Sequence, residues 1–232
     1  MEIKEKEIQD SPGGILFIVA TPIGDNRDIT LRALDVLNLV DRVICEGFRQ
    51  GSTLLKRLDI KNKPLVILDE HNESNQTEEI VEFLSQGEQL ALISDCGTPA
   101  FQDPGSHLIA RCIDLDIPVK SIPGPSSLMA ALSLSPIPLN EFYFIGFLPQ
   151  KSAHREKKFQ FIKSLRCPVV LMDTPYRLVK LLTEVRDYLG GNRLITLAVD
   201  LTLPSEDLFY GRVKNILERV KDRKAEFILI VY

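Results

Sequence analysis

No stretch of the sequence is apolar for the length a membrane span requires, and no charged-then-apolar leader precedes a small-residue cleavage site. A soluble, cytoplasmic chain with no membrane partner is therefore expected. Cysteine is scarce: Cys45, Cys96, Cys112 and Cys167 are scattered, with no CxxC pair and no metal-type spacing. No metal is expected, and Cys45 and Cys167, in or beside apolar strand runs, are expected to be reduced and mostly buried. Charge of one sign is also missing. With 28 Lys and Arg against 32 Asp and Glu, the net charge of -4 argues against a protein that coats nucleic acid non-specifically, while leaving room for a local basic face. No GxGxxG precedes a helix, which excludes a dinucleotide-type site.

What is present is concentrated in residues 91–125. An apolar run at residues 90–94 reads as a buried strand. It leads into Asp95, Gly97, Thr98 and Pro99, where glycine lets backbone approach a ligand and proline stiffens the path. Asp103-Pro104-Gly105 then signals a turn and a helix start. The next unit repeats the order, with a strand at 119–122, the turn Pro123-Gly124-Pro125, and Ser126 and Ser127 opening a helix. Either loop alone fits an ordinary turn. Two adjacent strand ends bearing glycine–proline loops are where an open α/β sheet places a ligand.

The rest of the first half follows the same rule. Residues 1–12 are charged and expected to fray. A strand at 15–20 ends in Thr21-Pro22-Ile23-Gly24-Asp25, and Asp28 or Thr30 caps a helix carrying Leu31, Leu34, Leu37 and Leu39. A strand at 42–45 stops at Glu46-Gly47-Phe48-Arg49-Gln50-Gly51, after which Ser52 or Thr53 opens a short helix. A strand at 65–68 stops at Asp69-Glu70-His71-Asn72-Glu73, before a helix built on Thr77, Ile80, Val81, Phe83 and Leu84. Strand, loop and helix repeated in this way imply a largely parallel sheet with helices on both faces and polar loops at the carboxyl ends of the strands.

The proline-rich stretch 134–140 is the expected linker, dividing an N-terminal domain, 13–136, from a C-terminal domain, 137–232. The second half is less regular. Strands are expected at 142–145, 169–172, 194–199 and 227–231, with a possible strand at 208–210. A helix with Lys151, Arg155, Lys157, Lys158, Lys163 and Arg166 along it could bind phosphates or could simply be a solvated face. The expected fold class is α/β: two α/β/α domains with mostly parallel or mixed sheets and a cleft between them.

These residues carry a resemblance. Thr21-Pro22-Ile23-Gly24 with Asp28-Ile29-Thr30-Leu31-Arg32-Ala33-Leu34 resembles the opening of the ribosomal RNA small subunit methyltransferase I family, in the tetrapyrrole methylase superfamily. Glu70-His71-Asn72-Glu73, Asp95-x-Gly97-Thr98-Pro99 with Asp103-Pro104-Gly105, and Pro123-Gly124-Pro125-Ser126-Ser127 continue it. So do Gly146-Phe147-Leu148-Pro149 with Lys151, and Thr174-Pro175-Tyr176-Arg177-Leu178. The resemblance implies an S-adenosyl-L-methionine-dependent enzyme, a homodimer of two-domain chains with the cofactor in the interdomain cleft. It also implies a substrate, the ribose 2′-hydroxyl of a cytidine in small-subunit rRNA, met as rRNA or as the assembled small ribosomal subunit.

S-adenosylmethionine presents a sulfonium cation, an amino acid end and an adenosine. Pro22 and Gly24 let the first loop pass close to it, Asp95 can offset positive charge, and the Gly97-Thr98 backbone can bond the amino acid end. Ser126 and Ser127 add hydroxyls and helix N-terminal amides, which suit a carboxylate; plain helix capping is the lesser alternative for either alone. By resemblance, Asp173 and Ala198 close the pocket from the second domain. Glu46, His71 and Asp95 are the candidate proton acceptors, with His71 chemically apt because it titrates near neutrality. Arg49, Glu70, Lys151 and Arg177 are the candidate substrate contacts.

Three places depart from the family pattern. Glu46-Gly47-Phe48-Arg49 stands where Glu-Asp-Thr-Arg is typical, Asp200-Leu201-Thr202-Leu203 lacks the usual lysine, and Lys224-Ala225-Glu226 replaces Lys-Gly-Glu. A methyltransferase of a tetrapyrrole or other small molecule, and a non-catalytic cofactor-binding protein, therefore stay open beside the rRNA enzyme. The absence of a Gly-Asp-Pro loop at residues 95–99 counts against a tetrapyrrole enzyme.

Overall fold

The computed structural model describes residues 13–232, so residues 1–12, expected to fray, lie outside the described residues. The chain divides into two compact units, the second being Ser127–Tyr232.

The first unit is built on a five-stranded sheet of order β3-β2-β4-β1-β5. Strand β1 (Leu16–Val19) lies between β4 (Leu90–Ile93) and β5 (Val119–Ile122), and β2 (Arg42–Cys45) between β4 and β3 (Leu65–Ile67); every pairing is parallel. Strands β1 and β4 are continuous apolar runs because both faces are covered, whereas β5, at the edge, carries Lys120 and Ser121. Phe17 and Val19 pack on one face with Ala33, Val36 and Leu37 of α1 (Leu31–Leu39) and Leu55 of α2 (Phe48–Arg57). Leu16 packs on the other with Ile80 and Leu84 of α3 (Glu73–Ser85) and Leu108 of α4 (Ser106–Asp114).

That division positions the site. β1 and β4 are neighbours, yet the chain leaves β1 for a helix on one face and β4 for a helix on the other. Right-handed crossovers running in opposite directions produce this, and they open a crevice at the carboxyl ends of the two strands.

Thr30 caps α1, its Oγ1 accepting from the Ala33 amide at 3.1 Å. Two helices start earlier than expected. Helix α2 begins at Phe48 with Gly47 as its N-cap, not at Ser52 or Thr53, so Arg49 and Gln50 belong to its first turn. Gly51 permits this: a Cβ there would lie 2.6 Å from Cys45 Sγ, so only glycine lets the helix rest so close to β2. Helix α3 begins at Glu73 rather than near Thr77. Asp69 and Asn72 bond each other's backbone, with Asp69 Oδ1 accepting from the His71 amide at 2.8 Å and Asn72 Oδ1 from the Asp69 amide at 2.8 Å. The expected loop thus closes within four residues and the helix follows at once.

The second unit opens with α5 (Ser127–Ser133) and carries a sheet of order β6-β7-β10-β8-β9. Strands β6 (Tyr143–Phe147) and β7 (Val169–Met172) pair in parallel, whereas β10 (Phe227–Val231), β8 (Leu194–Val199) and β9 (Asp207–Arg212) join antiparallel. The division falls ahead of the proline-rich stretch 134–140. Helix α5 packs on β10, and the Ser135 hydroxyl bonds Tyr232 Oη at 2.6 Å, tying that stretch to the second sheet. The core gathers Phe159 and Ile162 of α6 (Ser152–Ser164), Leu178, Leu181, Leu182 and Val185 of α7 (Leu178–Leu189), and Val213 and Ile216 of α8 (Val213–Arg219).

Candidate active site

The loops after β1 and β4 are stitched together. The Gly97 carbonyl accepts the Thr21 amide at 2.8 Å, the Thr21 hydroxyl at 3.3 Å and the Ser94 hydroxyl at 3.3 Å. The loop after β5 joins them through the Thr98 hydroxyl, which donates to the Pro125 carbonyl at 3.2 Å. Gly97 has φ +85°, and a Cβ there would meet Ile23 Cγ2 at 3.2 Å; a Cβ on Gly124 would meet Ala20 Cβ at 3.2 Å. Both glycines are needed for the loops to approach one another and leave backbone open at the strand ends.

Carboxylates crowd the crevice. The Gly47 amide of the β2 loop favours the ionised form of Asp95 on the β4 loop, and the Ser94 hydroxyl that of Asp103. Burial raises the pKa of Glu46, and the charges of Asp95, Asp103, Glu70 and Asp69 push it further. Burial raises Asp95, against the pull of the Gly47 amide, and burial followed by the charge of Asp95 raises Asp103. Cys45 beneath them is pushed up to about 11 by burial and then by Asp95, so it stays a thiol near neutrality. A group whose folded pKa exceeds its unfolded value costs stability once ionised. The stability contributed by Glu46 is therefore complete below the ordinary carboxylate pKa and is lost as pH rises through its raised folded value. Glu46→Gln is expected to raise the melting temperature at about pH 8 and to leave it unchanged at about pH 3. A lower melting temperature at the higher pH would refute the charge crowding.

Between the β1 loop and helix α2 lies a cavity of about 530 Å³. Pro22, Gly24 and Asp95 line it with Arg49, as do Asn26 and Arg57, which the sequence alone did not single out. Their signal is the spacing Arg49-Thr53-Arg57, one stripe of a helix, legible only once the helix is known to begin at Phe48. Glu46 lies within electrostatic reach of Asp95 and of Glu70. His71 stands in solvent with its side chain 86% exposed, 3.7 Å from an equally exposed Glu70. Ser126 ends the first unit and Ser127 begins α5.

In the second unit Ala198 is buried in β8, and Lys151 is exposed as the N-cap residue of α6. Asp173, just after β7, is buried and accepts from Arg155 at 3.1 Å, from its neighbour Thr174's amide at 2.9 Å and from Arg177 at 3.5 Å. Arg155 also bonds Glu184 and the carbonyls of Leu148 and Pro149. This corrects one expectation: Arg155, counted on the basic face of the helix, is only 4% exposed and holds the β6 and β7 loops together instead of meeting phosphates.

The family model for Tetrapyrrole (Corrin/Porphyrin) Methylases matches residues 16–217. The Escherichia coli O157:H7 protein named ribosomal RNA small subunit methyltransferase I is 37% identical over 99% of this chain and 81% of its own length. The Haemophilus influenzae protein of the same name is 39% identical over 94% of this chain and 78% of its own. The chain belongs to the ribosomal RNA small subunit methyltransferase I family. As a member of that family it is a methyltransferase of the tetrapyrrole methylase type. Its fold is that of the uroporphyrin-III-C-methyltransferase of Thermus thermophilus, with a TM-score of 0.63 at 19% identity over 94% of each chain. The matched range includes the loops at the ends of β1, β4 and β5 that are joined through Gly97 and Thr98.

Proposed function

We propose that this chain binds S-adenosylmethionine against the loops that follow β1, β4 and β5, and directs methyl transfer to the 2′-hydroxyl of a cytidine ribose in small-subunit rRNA. The observation that carries the reading is the crevice between β1 and β4. Glycines bring its loops together around the Gly97 carbonyl, and it is lined with partly desolvated carboxylates. These residues suit the cofactor: a cation gains from uncompensated carboxylates, and the close glycines leave backbone groups for its amino acid end. The cofactor supplies a methyl group already activated on a sulfonium centre.

The work left to the protein is placement and removal of a proton. Pro22 and Gly24 shape the wall beside Asp95. Gly97, Thr98 and Ser126 offer amides and hydroxyls to the amino acid end. Asp95 offsets the cation and, with Glu46, accepts the ribose proton. Burial favours the protonated form of both, which makes them stronger bases than free carboxylates. Arg49, Glu70, Lys151 and Arg177 face the RNA, and the enzyme works in the cytoplasm as a homodimer.

Methyl transfer from labelled S-adenosylmethionine to small ribosomal subunits, purified from a strain lacking this protein, tests the proposal. One labelled ribose, mapped by methylation-sensitive primer extension, is the expected product. No label on these subunits, with cofactor binding intact, would overturn the rRNA assignment.

A further inference from the structure

Helix α2 carries two polar stripes side by side. Arg49, Thr53 and Arg57 follow one another at i, i+4 and i+8 and line the 530 Å³ cavity that also holds Asp95. Phe48, Ser52 and Lys56 form the adjacent stripe and line a separate open groove of about 710 Å³, bordered by Lys61 and Lys63. Among the described residues no ion pair is formed by Arg49, Arg57 or Lys56, although carboxylates are plentiful nearby. Phe48 is 64% exposed on the same helix whose other side, through Gly51 and Leu55, is packed on the sheet.

Each feature alone suits a solvated helix. Together they set the Asp95 carboxylate and the Arg49–Arg57 stripe around a single cavity, beside an exposed aromatic ring. A ribose hydroxyl and its neighbouring phosphate need that pairing. The hydroxyl must sit by a proton acceptor, and the phosphate, repelled by Asp95 and Glu46, must find cations close by. Guanidinium groups suit it because they bond phosphate oxygens in a fork. Single-stranded nucleic acid is held by a cationic track together with aromatic platforms on which unstacked bases lie. Here Phe48 stands one residue before the first arginine.

We infer that helix α2 is the element that grips single-stranded RNA: Arg49 and Arg57 hold the phosphate next to the reacting ribose, and Phe48 stacks on an adjacent unpaired base in the groove beside Lys56. The inference rests on the rRNA reading above and specifies how the substrate is held. It also assigns a purpose to the departure at Gly47-Phe48. Gly47 carries no charge, and Phe48 places a ring at the start of the helix.

The two contacts have different signatures. Phosphate contacts release counterions, so each contributes about 0.7 to the slope of log affinity against log salt for a single strand. Stacking contributes affinity with little salt dependence, about five- to a hundredfold per base. Binding of the full-length chain to small ribosomal subunits from the deletion strain would be measured between about 50 and 200 mM salt. Arg49→Ala with Arg57→Ala is expected to lower the slope by about 1.4, two contacts' worth. Phe48→Ala is expected to weaken binding about five- to a hundredfold at unchanged slope, and Phe48→Tyr to restore it. All three side chains are exposed, so melting temperatures should match the wild type.

A wild-type slope in the double arginine variant, or wild-type affinity in Phe48→Ala, would overturn the inference while leaving the rRNA reading intact if the wild type still methylates the subunits. Failure of the wild type itself to bind or methylate them would overturn the rRNA reading, and the inference with it.

Discussion

Arg155→Ala is expected to destabilise the second unit by about 3 kcal/mol, the usual consequence of stripping one partner from a buried ion pair. The side chain of Asp173 is 1% exposed and that of Glu184 18% exposed, and both face the Arg155 guanidinium. Removing it strands the Asp173 carboxylate with only Arg177 at 3.5 Å and one backbone amide, and frees the carbonyls of Leu148 and Pro149 as well. Alanine also leaves a hole where the side chain ran beneath the β6 loop. The double variant Arg155→Ala/Asp173→Ala should lose less than the sum of the two single changes, since no unpaired buried charge remains. Urea unfolding of the four proteins measures this. A loss below about 1 kcal/mol for Arg155→Ala would show that the network is solvated and does not organise the loops after β6 and β7.

The second large effect concerns activity without stability. Asp95→Ala is expected to lower the methyl-transfer rate at least about a hundredfold, the scale of a lost proton acceptor. Because burial raises its pKa, the ionised carboxylate costs the folded state, and its removal should leave the melting temperature unchanged or higher near neutrality. Asp95→Asn keeps a side-chain oxygen for the Gly47 amide while losing charge and basicity, so it should be about as inactive as the alanine variant. If the asparagine variant retained activity within about threefold, the hydrogen bond between the β2 and β4 loops would be what matters, and Glu46 would remain as the acceptor. A residue whose removal abolishes rate while relieving the fold marks a site maintained for chemistry at the expense of stability.

The two results would separate the roles that the chain assigns to buried and half-buried charge. In the second unit the charges are matched and hold loops in place. At the carboxyl ends of β2 and β4 in the first, Glu46, Asp95 and Asp103 are partly desolvated and, among the described residues, form no ion pair. Membership of a methyltransferase family agrees with that imbalance, since the ordinary remedy of pairing Asp95, Asp103 and Glu46 with nearby arginines is not taken.

Much of this was legible in the residues themselves. The strands at Leu90–Ile93, Val169–Met172 and Phe227–Val231 are short apolar runs with polar residues or proline at their ends, and local physics decides their extent. The clustering of Pro22, Gly24, Asp95, Gly97 and Thr98 at strand ends followed from the strand–loop–helix order, because a parallel sheet puts all its outgoing loops at one edge. The family could be recognised from the same loops. What the chain could not announce was any partner distant in sequence. Helix α2 starts at Phe48 because Gly51 can lie against Cys45, a contact that exists only after β2 is in its sheet. The strand order that makes β1 and β4 neighbours depends on crossover direction, which no local pattern encodes. Arg155 reads as one more cation on a basic helix until Asp173 and Glu184 arrive from elsewhere to bury it. Periodicity and turn chemistry are short-range and can be read along the chain; burial, charge pairing and the meeting of one stripe of a helix with one loop are decided by which elements pack together.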